Sequence, residues 1–233
     1  VTDPTLTAAI QARFADTKLY IADGHHRYET ALRYRDTLRA EGVPEGTDAD
    51  YIMRMLVEMD HPGLVVLPTH RLIRGLQGFD PAALLESCRA EFDVLPGLTL
   101  ESLDETLENA YQAGQKAFGF YTGGESFTLL TLRDEAVMDA ALPELSPASR
   151  HLDVNVLHTL ILERRLGIDK RNMAAGVNLT YTRSLREALD DVEAGAYQAA
   201  FLLNPTRVEE IRDVASAGEK MPQKSTYFYP KLI

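Results

Sequence analysis

Ile21-Ala22-Asp23-Gly24-His25-His26-Arg27-Tyr28-Glu29-Thr30-Ala31 gathers more reactive side chains than any other stretch of this 233-residue chain. Upstream, Lys18-Leu19-Tyr20-Ile21-Ala22 reads as a buried strand. Downstream, Tyr28, Ala31, Leu32 and Arg35 follow helical spacing to about Arg39. Asp23 to His26 is therefore expected at a strand-to-helix junction. A helix starting there points unpaired backbone N–H groups and its positive dipole end at whatever sits above the turn, which favours an anion. Arg27 adds a planar fork suited to phosphate or carboxylate. His25 and His26 bring imidazoles, the side chains suited to proton transfer or charge stabilisation. Blander roles compete: Asp23 as a helix cap, Gly24 as relief of turn strain, Glu29 paired with Arg33.

Working outward, Tyr51 to Met59 and Leu64 to Pro68 read as strands joined by the Asp60-His61-Pro62-Gly63 turn. Thr69-His70-Arg71 then ends the second strand, where ligands of α/β sheets gather. Strands ending at Ala22, Pro68 and Leu203, if neighbours, would turn His25, His26, Arg27, His70, Arg71 and Asn204 to one cleft. A helix is expected from Phe79 to Phe92, opening at Asp80-Pro81. A strand from Phe92 to Leu95, a helix from Leu100 to Ala113 and a hairpin around Gly123-Gly124 follow. Residues 76–143 carry no cluster of His, Lys or Arg and are expected as an inserted α+β lobe, between a core segment (1–75) and a returning segment (144–233). That last segment reads as a helix from Val154 to Leu166 with a structural His158, a strand from Val177 to Tyr181, a helix from Leu185 to Ala194, and a buried strand from Ala199 to Leu203. Asn204-Pro205-Thr206 then opens a helix to Ala217. Lys224-Ser225-Thr226-Tyr227-Phe228-Tyr229-Pro230-Lys231 offers cations, hydroxyls and aromatics, suited to a phosphate with a planar base or, equally, to an edge strand.

The string Ala22 to Ala31 resembles the hallmark of a prokaryotic family known only as domain of unknown function 1015. The likeness continues through Leu67-Pro68-Thr69-His70-Arg71, Leu152-Asp153-Val154 with Leu157-His158, Leu203-Asn204-Pro205-Thr206, and Gly218 to Lys231. Asp23, Gly24, His25, His26 and Arg27 also resemble the turn of the ParB and sulfiredoxin-like superfamily, whose free serine kinases carry an Asp-Gly-His-His-Arg-like segment. The resemblance implies a mixed α+β fold with ParB/sulfiredoxin-like core elements, and phosphoryl transfer between a nucleotide and a small hydroxylated, serine-like metabolite. In that reading Asp23, His25 and His26 are catalytic. Gly24, Arg27, Thr69, His70, Arg71, Asn204, Thr206, Lys224, Ser225 and Lys231 hold phosphate or nucleotide. ADP or ATP and Mg²⁺ are the expected cofactors. The acidic residue that activates the hydroxyl in such kinases has no placement here. A nucleotide- or metabolite-sensing protein is the alternative, and a metal-assisted hydrolase on His25, His26 and His70 a further one.

Composition narrows the classes. A formal charge of −11 without a basic tract argues against a nucleic-acid backbone binder. One cysteine, Cys88, excludes an internal disulfide, fits a reducing cytoplasm, and reads as core packing. No apolar run approaches the ~20 residues of a membrane span, and no leader opens the chain. The start at Val1 without Met leads to the expectation of a piece of a longer protein. Neither a Gly-x-x-x-x-Gly-Lys-Ser/Thr loop nor a Rossmann fingerprint occurs, and neither does a Cys-x-x-Cys pair or a His-Glu-x-x-His helix. The expected partner is a small molecule.

Overall fold

The computed structural model describes residues 2–229. They divide into two compact units, one ending at His61 and the other beginning at Pro62.

In the first unit, Asp3 caps helix α1 (Pro4–Phe14), accepting from Thr5 N at 2.8 Å, and Gly24 opens helix α2 (His25–Ala40). Arg39 of α2 pairs with Asp50, whose other oxygen accepts from Gly46 N at 2.7 Å and Thr47 N at 3.2 Å. That clamp closes the loop behind the helix. The strands expected at Lys18–Ala22 and Tyr51–Met59 are absent among the described residues. A run of apolar side chains makes a strand only where a neighbour supplies a hydrogen-bond ladder, and neither segment has one. Met53 accordingly stands 98% exposed.

The second unit is a mixed α+β fold around an antiparallel sheet. Its elements are β1 (Val65–Val66), β2 (His70–Ile73), α3 (Pro81–Cys88), β3 (Phe92–Leu98), α4 (Leu100–Gln112), β4 (Ala117–Tyr121), β5 (Phe127–Leu132), α5 (Ala136–Ala141), α6 (Pro147–Arg150), α7 (Asp153–Val156), α8 (Lys170–Ala175), β6 (Leu179–Thr182), α9 (Leu185–Glu193), β7 (Ala199–Leu203), α10 (Val208–Ser216) and β8 (Phe228–Tyr229). The six long strands run in the order β3-β5-β4-β7-β2-β6, and β1 pairs with β8 apart from them. Asp80 caps α3 through Ala82 N at 2.9 Å, and Gly123-Gly124 turns the β4–β5 hairpin, as the sequence leads one to expect. Residues 76–143, expected as a lobe, contribute β3, β4 and β5 to the same sheet as β2, β6 and β7.

Side-chain alternation builds two cores, one on each face. Phe118, Phe120, Phe201 and Leu203 pack with α3, α5 and the helix after α7. On the other face Leu72, Ala200 and Leu202 meet α4 and α9. The small residues of β4 explain how closely α4 lies: a Cβ on Gly119 would sit 3.0 Å from Leu103 Cδ2. Cys88 is fully buried in the first core, as its amphipathic setting predicts. The expected helix from Val154 to Leu166 forms with a change of pitch: α7 continues as a π-helical segment, Leu157–Glu163. No helix among the described residues is long and apolar enough to cross a membrane.

Candidate anion sites

The helix of the Asp-Gly-His-His-Arg turn begins one residue after Gly24, which takes φ 86°, a left-handed conformation that glycine adopts without strain. Gly24 rather than Asp23 holds the capping position, and no side chain caps the helix. Asp23 instead accepts from Gly24 N through Oδ1 at 2.8 Å. The first hydrogen bond of the helix runs from Tyr28 N to Gly24 O at 3.0 Å, so the amides of the preceding turn point out of the helix end. Arg27 folds back over this turn. A Cβ on Gly24 would lie 3.0 Å from Arg27 Nη2 and 3.2 Å from Nε, so the bare glycine is what lets the guanidinium rest there. His25 is half-buried, and His26 is exposed with Nδ1 3.9 Å from Glu29. The turn thus presents oriented amides, one guanidinium fork and two imidazoles, the groups that hold an anion and move a proton.

The Thr69-His70-Arg71 triad is placed differently from the expectation. It opens β2 instead of ending a strand, and all three residues are buried. The expected second phosphate clamp, Arg71, is only 1% exposed. Its guanidinium donates to Thr69 O, to Lys224 O at 3.2 Å and to His158 Nε2 at 3.4 Å, and it lies 5.5 Å from the Tyr181 ring centre. Among the described residues no carboxylate pairs with it. Burial draws its pKa down to about 10. Burial, reinforced by the Arg71 charge, also pulls His70 down to about 4 and His158 to about 3. Both rings accept a hydrogen bond, His70 Nδ1 from Leu203 N at 3.2 Å and His158 Nε2 from Arg71, as neutral imidazoles do.

Of the strands expected side by side, only β7 ends where predicted; Ala22 and Pro68 end none. His70 and Leu203 still meet, because antiparallel pairing sets the start of β2 beside the end of β7. Asn204 donates to Leu107 O at 3.0 Å, and Arg207 rather than the Asn-Pro-Thr segment takes the capping position of α10. Thr206 donates to Ser225 O at 2.9 Å, and Ser225 to Pro222 O at 2.7 Å. These side chains tie the 222–225 turn to the body, and Lys224 stands exposed upon it. Lys231 lies outside the described residues.

Residues to which the sequence reading gave no functional role complete these networks. His158 and Tyr181 meet Arg71 across long stretches of chain, which no local pattern announces. Lys116 Nζ lies 3.6 Å from Asp153 and 3.3 Å from Glu210, tying β4 to the starts of α7 and α10. Burial pushes the Asp153 carboxyl up to about 7 against the pull of the Lys116 ammonium.

A pH dependence follows. Between the folded values of His70 and His158 and the ordinary value near 6.5, the unfolded chain binds more protons than the folded one, so stability is full above that value and falls as pH drops. Each ring contributes a slope of roughly 1.4 kcal/mol per pH unit in that window. Asp153 opposes them, since a raised folded pKa adds stability at low pH that is lost as pH rises through about 7. Two rings outweigh one carboxyl. Urea midpoints should decline from pH 6.5 toward 4, and more steeply in Asp153→Asn; midpoints rising on acidification would contradict the neutral rings.

Comparison with known proteins gives a family and several solved structures of low similarity. Residues 1–155 match the family described as "Protein of unknown function (DUF1015)". No curated protein matches the chain. Among solved structures, it is similar to a conserved hypothetical protein from Pyrococcus furiosus, with 17% identity, a TM-score of 0.44, and 98% of this chain and 84% of that one covered. It is also similar to a free serine kinase in complex with AMP, with 16% identity, a TM-score of 0.42, and 98% and 80% covered. A variant of such a kinase in complex with ADP gives 16%, 0.43, 98% and 81%.

Proposed function

We propose, for a chain that belongs to the family described as "Protein of unknown function (DUF1015)", a nucleotide-dependent phosphotransferase that acts on a small hydroxylated metabolite. The observation that carries this reading is the uncapped start of α2, where the Arg27 guanidinium rests over Gly24 in a turn that also carries His25 and His26. Phosphoryl transfer asks little covalent chemistry of a protein; it needs the phosphate positioned and its charge stabilised. Amides and Arg27 supply both. The bond from the nucleotide's leaving oxygen to phosphorus breaks, a bond from the acceptor hydroxyl to phosphorus forms, and the hydroxyl proton passes to His25 or His26. The Asp-Gly-His-His-Arg likeness to free serine kinases supports a serine-like acceptor.

Mg²⁺ is tested against the same turn. It keeps several waters and is held mainly by phosphates with one or two carboxylates. Asp23 is the carboxylate there, so the turn fits an ion that arrives with the nucleotide; bound, that ion would neutralise phosphate charge. Among the described residues no group of three or more His, Cys, Asp or Glu gathers that could hold a metal. His70, the third histidine of the hydrolase reading, is buried and its Nδ1 accepts from Leu203 N at 3.2 Å.

The test is direct. Purified protein with Mg²⁺ is incubated with ATP or ADP and serine or related hydroxylated metabolites, and the phosphorylated product is followed by ³¹P NMR. A phosphomonoester formed from one nucleotide supports the proposal. Saturable nucleotide binding with no product from any acceptor would replace it with the sensing alternative.

A further inference from the structure

Independently of the α2 site, we infer that the cleft between α8 and the Pro222–Ser225 turn binds a small oxyanion, a phosphate or carboxylate group, with Lys224 as its direct cation. The cleft measures about 270 Å³, and Met173, Gly176, Thr180, Tyr181, Gln223 and Lys224 are among the residues that line it. That size suits a metabolite smaller than the usual ligand of a pocket. Thr180, Tyr181 and Gln223 bring neutral hydrogen-bond donors, and Met173 an apolar wall.

Three observations set a positive charge at this cleft. Lys224 is the one non-glycine residue with a positive φ among those described, at 58°. Glycine would take this conformation without strain, so a lysine here keeps an ammonium at the cleft at the expense of its own backbone. The ammonium has no partner among the described residues. Next, the turn that carries it is fastened: Arg71 Nη2 donates to Lys224 O at 3.2 Å, Ser225 N to Pro222 O at 3.2 Å, and Thr206 to Ser225 O at 2.9 Å. The backbone from which the Lys224 side chain projects is therefore fixed before any ligand arrives. Finally, Arg71 lies behind the cleft, against Tyr181 and the Lys224 carbonyl, without a carboxylate among the described residues to cancel its charge. A buried guanidinium surrounded by neutral acceptors projects its field toward the nearest opening. Arg71 touches no ligand in this account; it is a positioning residue for Lys224. Elsewhere on the rim, the carbonyls of Gly176 and Val177 at the end of α8 accept from Arg74 at 3.1 and 3.4 Å, which offsets their repulsion of an anion.

Met173 supplies the reporter. The intact chain labelled with [methyl-¹³C]methionine is titrated with sodium phosphate and, separately, sodium acetate, at constant ionic strength set with sodium chloride. A saturable shift of the Met173 methyl is expected, with phosphate alone identifying a phosphate ester, acetate alone a carboxylate, and both a general oxyanion site. Lys224→Gly keeps the turn's backbone conformation and should weaken that binding about tenfold or more. Arg27→Ala should leave the Met173 titration unchanged, which separates this site from the one at α2. No saturable shift with either anion, or a titration unaltered in a folded Lys224→Gly protein, overturns the inference.

Discussion

Arg27→Ala is expected to lower the rate of phosphoryl transfer by roughly 10²-fold or more while leaving the fold intact. The side chain is exposed and its guanidinium rests over Gly24, so truncation removes no core contact. It removes the fork that would meet charge developing on the transferred group, in a site where the remaining donors are backbone amides and the two imidazoles. Arg27→Lys should recover part of the loss, because an ammonium restores charge but not two parallel hydrogen bonds. The comparison is of kcat/KM for the two variants, with circular dichroism as the folding control. An Arg27→Ala protein turning over at the original rate would remove Arg27 from the proposed site, and the α2 reading with it.

Phe201→Ala should destabilise the second unit by about 3–5 kcal/mol, the range for truncating a buried phenylalanine. Phe201 is fully buried in β7, between β4 and β2, with its ring centre 5.0 Å from that of Phe120. It stands opposite Arg71 in the β2–β7 register, so the cavity would open beside the buried guanidinium. The structure around it has little room to relax, because both sheet faces are covered by helices. Urea unfolding followed by tyrosine fluorescence measures the change. A loss under about 1 kcal/mol would mean that β7 is not the packed centre of this sheet.

Much of the second unit was legible in the chain because its signals are local. Asp80-Pro81 announces a capped helix, Gly123-Gly124 a hairpin, and Ala199 to Leu203 a strand buried on both faces, and each forms as read. The α2 start was legible too, since a glycine before two histidines and an arginine marks a turn by composition alone. Strand identity was not local. Tyr51 to Met59 is apolar enough to read as a strand, yet a strand exists only where another segment pairs with it, and that partner is chosen by the whole chain. Thr69-His70-Arg71 shows the same division. Its residue types point to chemistry, but whether Arg71 meets a ligand or stays inside depended on His158, Tyr181 and the 222–225 turn, all remote in sequence. The sequence by itself determined the Asp80 cap, the Gly123-Gly124 turn and the buried strand from Ala199 to Leu203, because each depends on residues a few positions apart. Only the tertiary structure decided which polar side chains are buried, since burial is set by packing between segments that adjacency along the chain does not encode.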